Sequence, residues 1–302
     1  MVRWTTARSI LYGFILGVIF STSILSKPSS SSLPLPAVDL HGFVLEGTPA
    51  AKERLRTARS GKVKIVATGG VACNDSGTPA SPLLIDPLRF HPKDCAKIFL
   101  DIGSNQGTQL RKLYDDYMPT SPWAQVFTKH FGQGTRSDVC SFAFEGDRMH
   151  QRRHEELHTS WKKRNLRTQT IFHPVWASET IMTFYEIQEE EVKNWGSTLN
   201  KVVKRSNCTS EVEVLTLDLA RFMRLISEDS IVVAKMDIEG AEHVVLRELL
   251  LQGQLCNKFD FLGVEVHGRG TDLMGLRMLL REGPHALRKC KCDIRGFDDE
   301  ST

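Results

Sequence analysis

The chain has 302 residues, 41% hydrophobic and 25% charged, with a formal net charge of +3. That composition excludes a disordered or fibrous protein and predicts an ordinary globular core. So small a charge gives no argument for nucleic acid, and no basic and aromatic stripe supplies one.

The N-terminus stands apart. Residues 10–25 are almost wholly apolar and uncharged, with Arg3 and Arg8 before them and Lys27 after. Their length falls between a signal-peptide core and a full span of about 20 residues, and a thin early-secretory bilayer would tolerate it. The two arginines favour a cytosolic tail over 1–9 and a type II signal anchor over 10–25. Ser21 and Ser23 leave cleavage as a signal peptide open. Either route puts the body of the protein in the secretory lumen, expected on a Golgi membrane or, after cleavage, outside the cell. A Ser/Pro-rich tract at 27–36 lies in a stem over 26–48. Two sequons, Asn74-Asp-Ser76 and Asn207-Cys-Thr209, agree with that compartment. Seven cysteines permit disulfides whose pairing the spacing does not reveal.

Residues 49–96 read as an N-terminal extension: a short basic helix at 49–59, a strand at 62–68, and a Pro-rich loop or lid at 78–92. From residue 97 to 302 the pattern is that of one α/β domain, roughly the size a single core supports.

Ile98, Phe99, Leu100 and Ile102 make a short apolar run suited to a strand buried on both faces. It carries Asp101, turns through Gly103 and Gly107, and leads into a helix with Leu110, Leu113, Tyr114 and Tyr117 on one face. Strand, glycine turn and helix is an arrangement that brings backbone N–H groups to a cofactor, and a Cβ would block the turn and the approach. The spacing is not the Gly-x-Gly-x-x-Gly of dinucleotide sites.

After an insertion at 118–137, residues 138–145 form a second strand ending at Glu145, where a carboxylate can accept from ribose hydroxyls. A basic helix follows over 148–164. It contains His154-Glu-Glu-Leu-His158, a formal zinc motif. Arg152, Arg153, Glu156, Lys162 and Lys163 make that helix polar nearly all round, so a solvated surface helix is expected instead. Residues 170–177 and 182–185 supply a strand and an apparent hairpin partner. Residues 211–217 alternate with period two, and Asp218 is placed to cap the next helix. Residues 230–237 form another buried strand, followed by a helix from Ile238 with Glu239 and Glu242 near its positive end and Gly253 beyond it. Residues 259–267 give a strand ending in Glu265 and His267, and a helix over 272–281 precedes the tail. Cys290 and Cys292 are too isolated for a metal site, and no metal ligands are assigned.

Polar groups therefore gather at the carboxyl ends of several strands: Asp101, Glu145, Asp237, Glu239, Glu265 and His267. Open α/β sheets bind their ligands there. Methyl transfer from a sulfonium needs in-line positioning and removal of the acceptor's proton, with His267 as a base near neutral pH and Glu265 to orient it.

Asp101-Ile-Gly-Ser-Asn-Gln-Gly107, Phe144-Glu145, Thr216-Leu-Asp218, Lys235-Met-Asp-Ile-Glu-Gly-Ala-Glu242 and Val264-Glu-Val-His267 resemble, in order, the motifs of the FkbM-type methyltransferases. The resemblance covers roughly residues 97 to 268. It implies a Rossmann-like class I methyltransferase domain, a mostly parallel doubly wound sheet with helices on both faces. It also implies S-adenosylmethionine as donor and O-methylation of a glycan or small-molecule acceptor. By the same carry-over, Asp101, Gly103, Ser104, Asn105, Gln106 and Gly107 cradle the methionine end and Glu145 the ribose, while Asp237 and Glu239 lie near the reacting methyl. The stretch after His267 looks short for a final hairpin. Two other classes stay open: a metal-dependent type II glycosyltransferase using Asp237 and Glu239 on a sugar diphosphate, and a non-catalytic binding protein of the same fold. Oligomeric state is not readable.

Overall fold

The computed structural model describes residues 64–67, 87–134, 136–187, 197–199, 208–267 and 290–297. The expected tail, anchor and stem, the helices at 49–59 and 272–281, and the asparagines of both sequons lie outside these. Among the described residues, no helix is long and apolar enough to cross a membrane.

In chain order the elements are β1 (Lys64–Ala67), β2 (Lys97–Ile102), α1 (Thr108–Tyr114), α2 (Pro122–Phe131), β3 (Val139–Phe144), α3 (Gln151–Lys162), β4 (Arg167–Ile171), β5 (Val175–Trp176), β6 (Ile181–Ile187), β7 (Cys208–Leu215), β8 (Leu217–Asp218), α4 (Leu219–Met223), β9 (Ile231–Met236), α5 (Glu242–Leu251), α6 (Gln254–Lys258), β10 (Phe261–Val264) and β11 (Asp293–Gly296). Six strands make one parallel sheet in the order β11-β10-β9-β2-β3-β4. This is the Rossmann-like, doubly wound α/β fold expected of the sequence. The strand after β10 joins as β11, parallel to it.

Alternation in β2 explains why the sheet is covered twice. Ile98, Leu100 and Ile102 point to one face, where Phe222, Met223, Leu246, Leu249 and Leu255 of α4, α5 and α6 pack. Phe99 points to the other, against Leu110 and Leu113 of α1, Trp123 and Phe127 of α2 and Trp161 of α3. Phe99 and Phe127 meet edge-on at 4.8 Å between ring centroids, and truncating either to alanine should cost about 3–5 kcal/mol. The insertion before β3 is thus α2, a core helix capped by Ser121, whose side chain accepts from Ala124 N–H.

The expected pairing of 182–185 with the 170–177 strand does not form. β6 pairs antiparallel with β7, and β7 with β1, in a separate three-stranded sheet, while β5 pairs with β8. Asp218 caps α4 as expected, accepting from Arg221 N–H at 2.9 Å. The described end of the Pro-rich stretch is held on β4, where the Gln169 side chain accepts from Arg89 N–H and donates to Pro87 O. Among the described residues two disulfides join Cys95 to Cys140 and Cys256 to Cys290, and Cys292 is a thiol.

Candidate active site

The turn after β2 is held by its neighbours rather than by its own sequence alone. Gly103 and Ser104 both donate N–H to Phe144 O at the end of β3. Asn105 adopts φ +49°, and its N–H donates to Glu145 Oε2 at 2.5 Å. The other Glu145 oxygen accepts from Asp147 N–H at 2.7 Å. Gly103 has φ +82°, and a Cβ there would stand 1.7 Å from the Asp237 carbonyl oxygen. A Cβ on Gly107 would strike Leu157 of α3 at 2.9 Å. The glycines are therefore required by close approach of β9 and α3, not only by a ligand.

A cleft opens where the carboxyl ends of β2, β3 and β9 meet. Gly103, Asn105, Glu145, Asp147, Asp237 and Glu239 share its wall. Phe184 of β6 and Ser197 close it from the small sheet's side. Ser197 Oγ donates to Asp147 Oδ2 at 2.7 Å, and Thr198 Oγ1 donates to Glu239 O at 2.6 Å. Four carboxylates face this space, and no lysine or arginine does among the described residues. Burial pushes Glu145 up to about 8, against the pull of the two N–H groups that favour its charged form. Burial likewise raises Asp147 to about 6.

Other expected site residues lie behind the wall. Asp101 is fully buried under the turn, its Oδ2 accepting from Ser104 Oγ at 2.7 Å. Ser104, Gln106, Gly107, Glu265 and His267 do not line the cleft. The helix expected from Ile238 starts instead at Glu242, because Glu239 and Gly240 take φ +52° and +97°. That turn aims Glu239 at the cleft, and Glu242 stabilises it by accepting from Ile238 and Gly240 N–H groups.

His267 sits in a nest of acids. Its Nδ1 is 3.0 Å from Glu242 Oε1 and 3.7 Å from Asp237 Oδ1, and its Nε2 is 3.5 Å from Glu265 Oε1 and 3.6 Å from Glu239 Oε2. Burial alone would lower its pKa, but hydrogen bonds to Glu242 and Glu265 and the charges of Glu239 and Asp237 raise it to about 10. A ring held that far above its usual value favours the imidazolium, which neutralises its neighbours and lacks the lone pair that a neutral base at His267 would use. Lys235 Nζ supplies a second cation, 2.8 Å from Asp237 Oδ2. Asp237, Glu265 and His267 also bring donor atoms within 4.8 Å of one another, a set that takes a divalent ion only with the His267 ring neutral.

The histidines of α3 are corrected too. His150 and His154 are buried, and the stripe His154, Leu157 and Trp161 faces inward while Arg152, Glu155 and Glu156 face water. His154 Nε2 meets Asn105 O, so the zinc motif is not a zinc site but part of the turn's support. Asp147 was missed, although it lies only two residues beyond Glu145. Phe184 and Ser197 carried no local signal at all.

No curated protein and no solved structure matched the chain. The methyltransferase FkbM domain matches residues 101–288, more than half of the chain, from the end of β2 through β3 and β9, whose ends build the cleft, and on past β10. The chain belongs to the FkbM methyltransferase family.

Proposed function

We propose that this methyltransferase uses S-adenosylmethionine to O-methylate a hydroxyl of a glycan or another secretory-pathway acceptor. The observation that carries the reading is the acidity of the cleft: Glu145, Asp147, Asp237 and Glu239 line it and no lysine or arginine does among the described residues, Lys235 reaching Asp237 from outside the lining. A sulfonium bearing an ammonium fits such a wall, whereas a sugar diphosphate would be repelled by it. Glu145 offers the carboxylate that a ribose diol needs.

Bound there, S-adenosylmethionine supplies an electrophilic methyl on sulfur. The chain's own work is to hold the acceptor hydroxyl in line and to take its proton. Asp237 is engaged by Lys235. Glu239, aimed into the cleft by its left-handed backbone, is assigned as the base, with the His267 imidazolium beside it. Asp237 and Glu265 help to hold that imidazolium in place.

The location in the secretory lumen rests on the apolar segment at 10–25 and on the Cys95–Cys140 and Cys256–Cys290 disulfides, a kind of bond rare in reducing compartments. The apolar segment anchors the protein in the membrane, and the described domain works on the luminal side.

Calorimetric titration with S-adenosylmethionine, S-adenosylhomocysteine and, with manganese, UDP-sugars tests the reading. Micromolar binding of the adenosyl ligands, lost in Glu145→Ala, is expected, and Glu239→Gln should keep binding while losing turnover. Binding of a UDP-sugar alone would establish a glycosyltransferase. Silence from every ligand on folded protein would leave a non-catalytic member of the family.

A further inference from the structure

The two imidazoles of the His154–His158 pair take no part in the chemistry proposed above, yet they are connected to the turn that does. His154 is fully buried. Its Nε2 lies 2.7 Å from Asn105 O and its Nδ1 2.8 Å from Thr170 Oγ1. The same hydroxyl oxygen lies 2.7 Å from His158 Nε2.

Elementary bookkeeping of donors and acceptors fixes the protons. A carbonyl oxygen only accepts, so Nε2 of His154 carries the hydrogen and Nδ1 is its lone pair. The Thr170 hydroxyl must then donate to Nδ1, and its own lone pair takes the His158 Nε2–H. His158 Nδ1 is left as a bare lone pair, and that atom is buried without a hydrogen-bond partner. Every proton in the chain points towards Asn105. Burial lowers His154 to about 4 and His158 to about 3, so both rings stay neutral and the order persists at physiological pH.

Asn105 needs such support. It sits at φ +49°, a left-handed conformation that asparagine tolerates better than other side chains and that hydrogen bonds on either side of it hold in place. Its N–H is held by Glu145 and its C=O by His154, so the peptide planes on both sides of it are set. The Cβ that Gly107 lacks would also lie 3.4 Å from His154 Cε1, which shows how closely the ring backs the turn.

We propose that His154 is a positioning residue for the amino-acid end of the donor, acting through the Asn105 carbonyl and itself oriented by Thr170 and His158. The proposal rests on the donor reading above, in which Glu145 takes the ribose and the turn takes the amino-acid end. Of the residues assigned to the donor, His154 touches only those of the turn. Its loss should therefore discriminate between ligands that differ at that end.

The experiment compares S-adenosylhomocysteine with 5′-methylthioadenosine, which lacks the amino-acid end, by calorimetry on the full-length chain. In His154→Leu, S-adenosylhomocysteine should weaken roughly tenfold while methylthioadenosine changes little. His154→Gln, which keeps an N–H near the Nε2 position, should recover most of the loss. If His154→Leu fails to fold, Thr170→Val removes only the orienting hydroxyl and should lower the ratio of the two affinities in the same direction. Equal weakening of both ligands, or an unchanged ratio, overturns this role and leaves the donor reading intact. If the wild-type chain binds neither ligand, the donor reading falls and this inference falls with it.

Discussion

The backbone N–H of Asn105 donates to Glu145 Oε2 at 2.5 Å, tying the turn after β2 to the end of β3. The carboxylate that is offered to a ribose is thus also part of the turn's scaffold. Its charge state matters to both tasks.

Burial raises Glu145 to about 8, so near neutrality much of the unliganded protein holds a proton there. A diol donating two O–H groups favours the carboxylate and drives that proton off. Affinity for S-adenosylhomocysteine should therefore rise with pH up to about 8 and level off above it. Calorimetry in buffers of different ionisation enthalpy should register release approaching one proton near pH 7. An affinity flat from about pH 6 to 9 would contradict this account.

Glu186 gives a stability prediction of definite sign. Burial, then the charge of Asp147, raises it to about 8, and its Oε2 accepts from Ser210 Oγ. The folded state keeps a proton that the unfolded chain loses near pH 4.5, so this stabilisation is full at low pH and lost as pH rises to about 8. His154 and His158, depressed in the fold, oppose that trend only below their unfolded value of about 6.5. The unfolding temperature should accordingly fall between pH 6.5 and 8, Glu145 and His267 adding to the same trend, and Glu186→Gln should remove roughly 5 °C of that fall.

Gly103 and Gly132 separate backbone strain from collision. Both have positive φ, but a Cβ on Gly132 would meet nothing within 4 Å. Gly132→Ala should cost about 1 kcal/mol and leave ligand binding alone. Gly103→Ala drives a methyl into the Asp237 carbonyl, and its soluble yield and S-adenosylhomocysteine binding should both collapse.

The Cys95–Cys140 bond joins residues 45 apart at the amino ends of β2 and β3. Replacing both cysteines by alanine should lower stability by about 4 kcal/mol on loop-entropy grounds. Melting curves with and without reductant check this. Wild-type protein should shift down in reductant, and the double variant should shift less, by the part that Cys256–Cys290 contributes.

The parallel core was legible because β2, β3, β9 and β10 are buried on both faces and read as mostly apolar runs, interrupted by Asp101, Ser141 and Lys235. Carboxylates at their ends, such as Glu145 and Asp237, needed only the convention that ligands gather there. Pairing of β6 with β7 was not legible, since a period-two pattern states which face is buried but not which strand lies alongside. The inward stripe of α3 was hidden by its charged neighbours, although His154, Leu157 and Trp161 stand at helical spacing. His267 misled because a histidine's charge depends on what the fold brings to it. Three of its acids come from the segment after β9 and one from the end of β10. The left-handed Glu239 was equally invisible, though Gly240 beside it hinted that no helix could begin there.

Parallel pairing also sets the order in which the protein can be made. Lys97 of β2 lies opposite Val139 on one side and Ile231 on the other. As the chain is synthesised, β2 and β3 are available long before β9 exists, and β2 must wait with one edge bare. The turn and Glu145 can come together early, but Asp237 and Glu239 reach them only after most of the polypeptide has emerged. A chain that stops before Ile231 therefore offers no half-enzyme, only an exposed apolar edge for chaperones to shield.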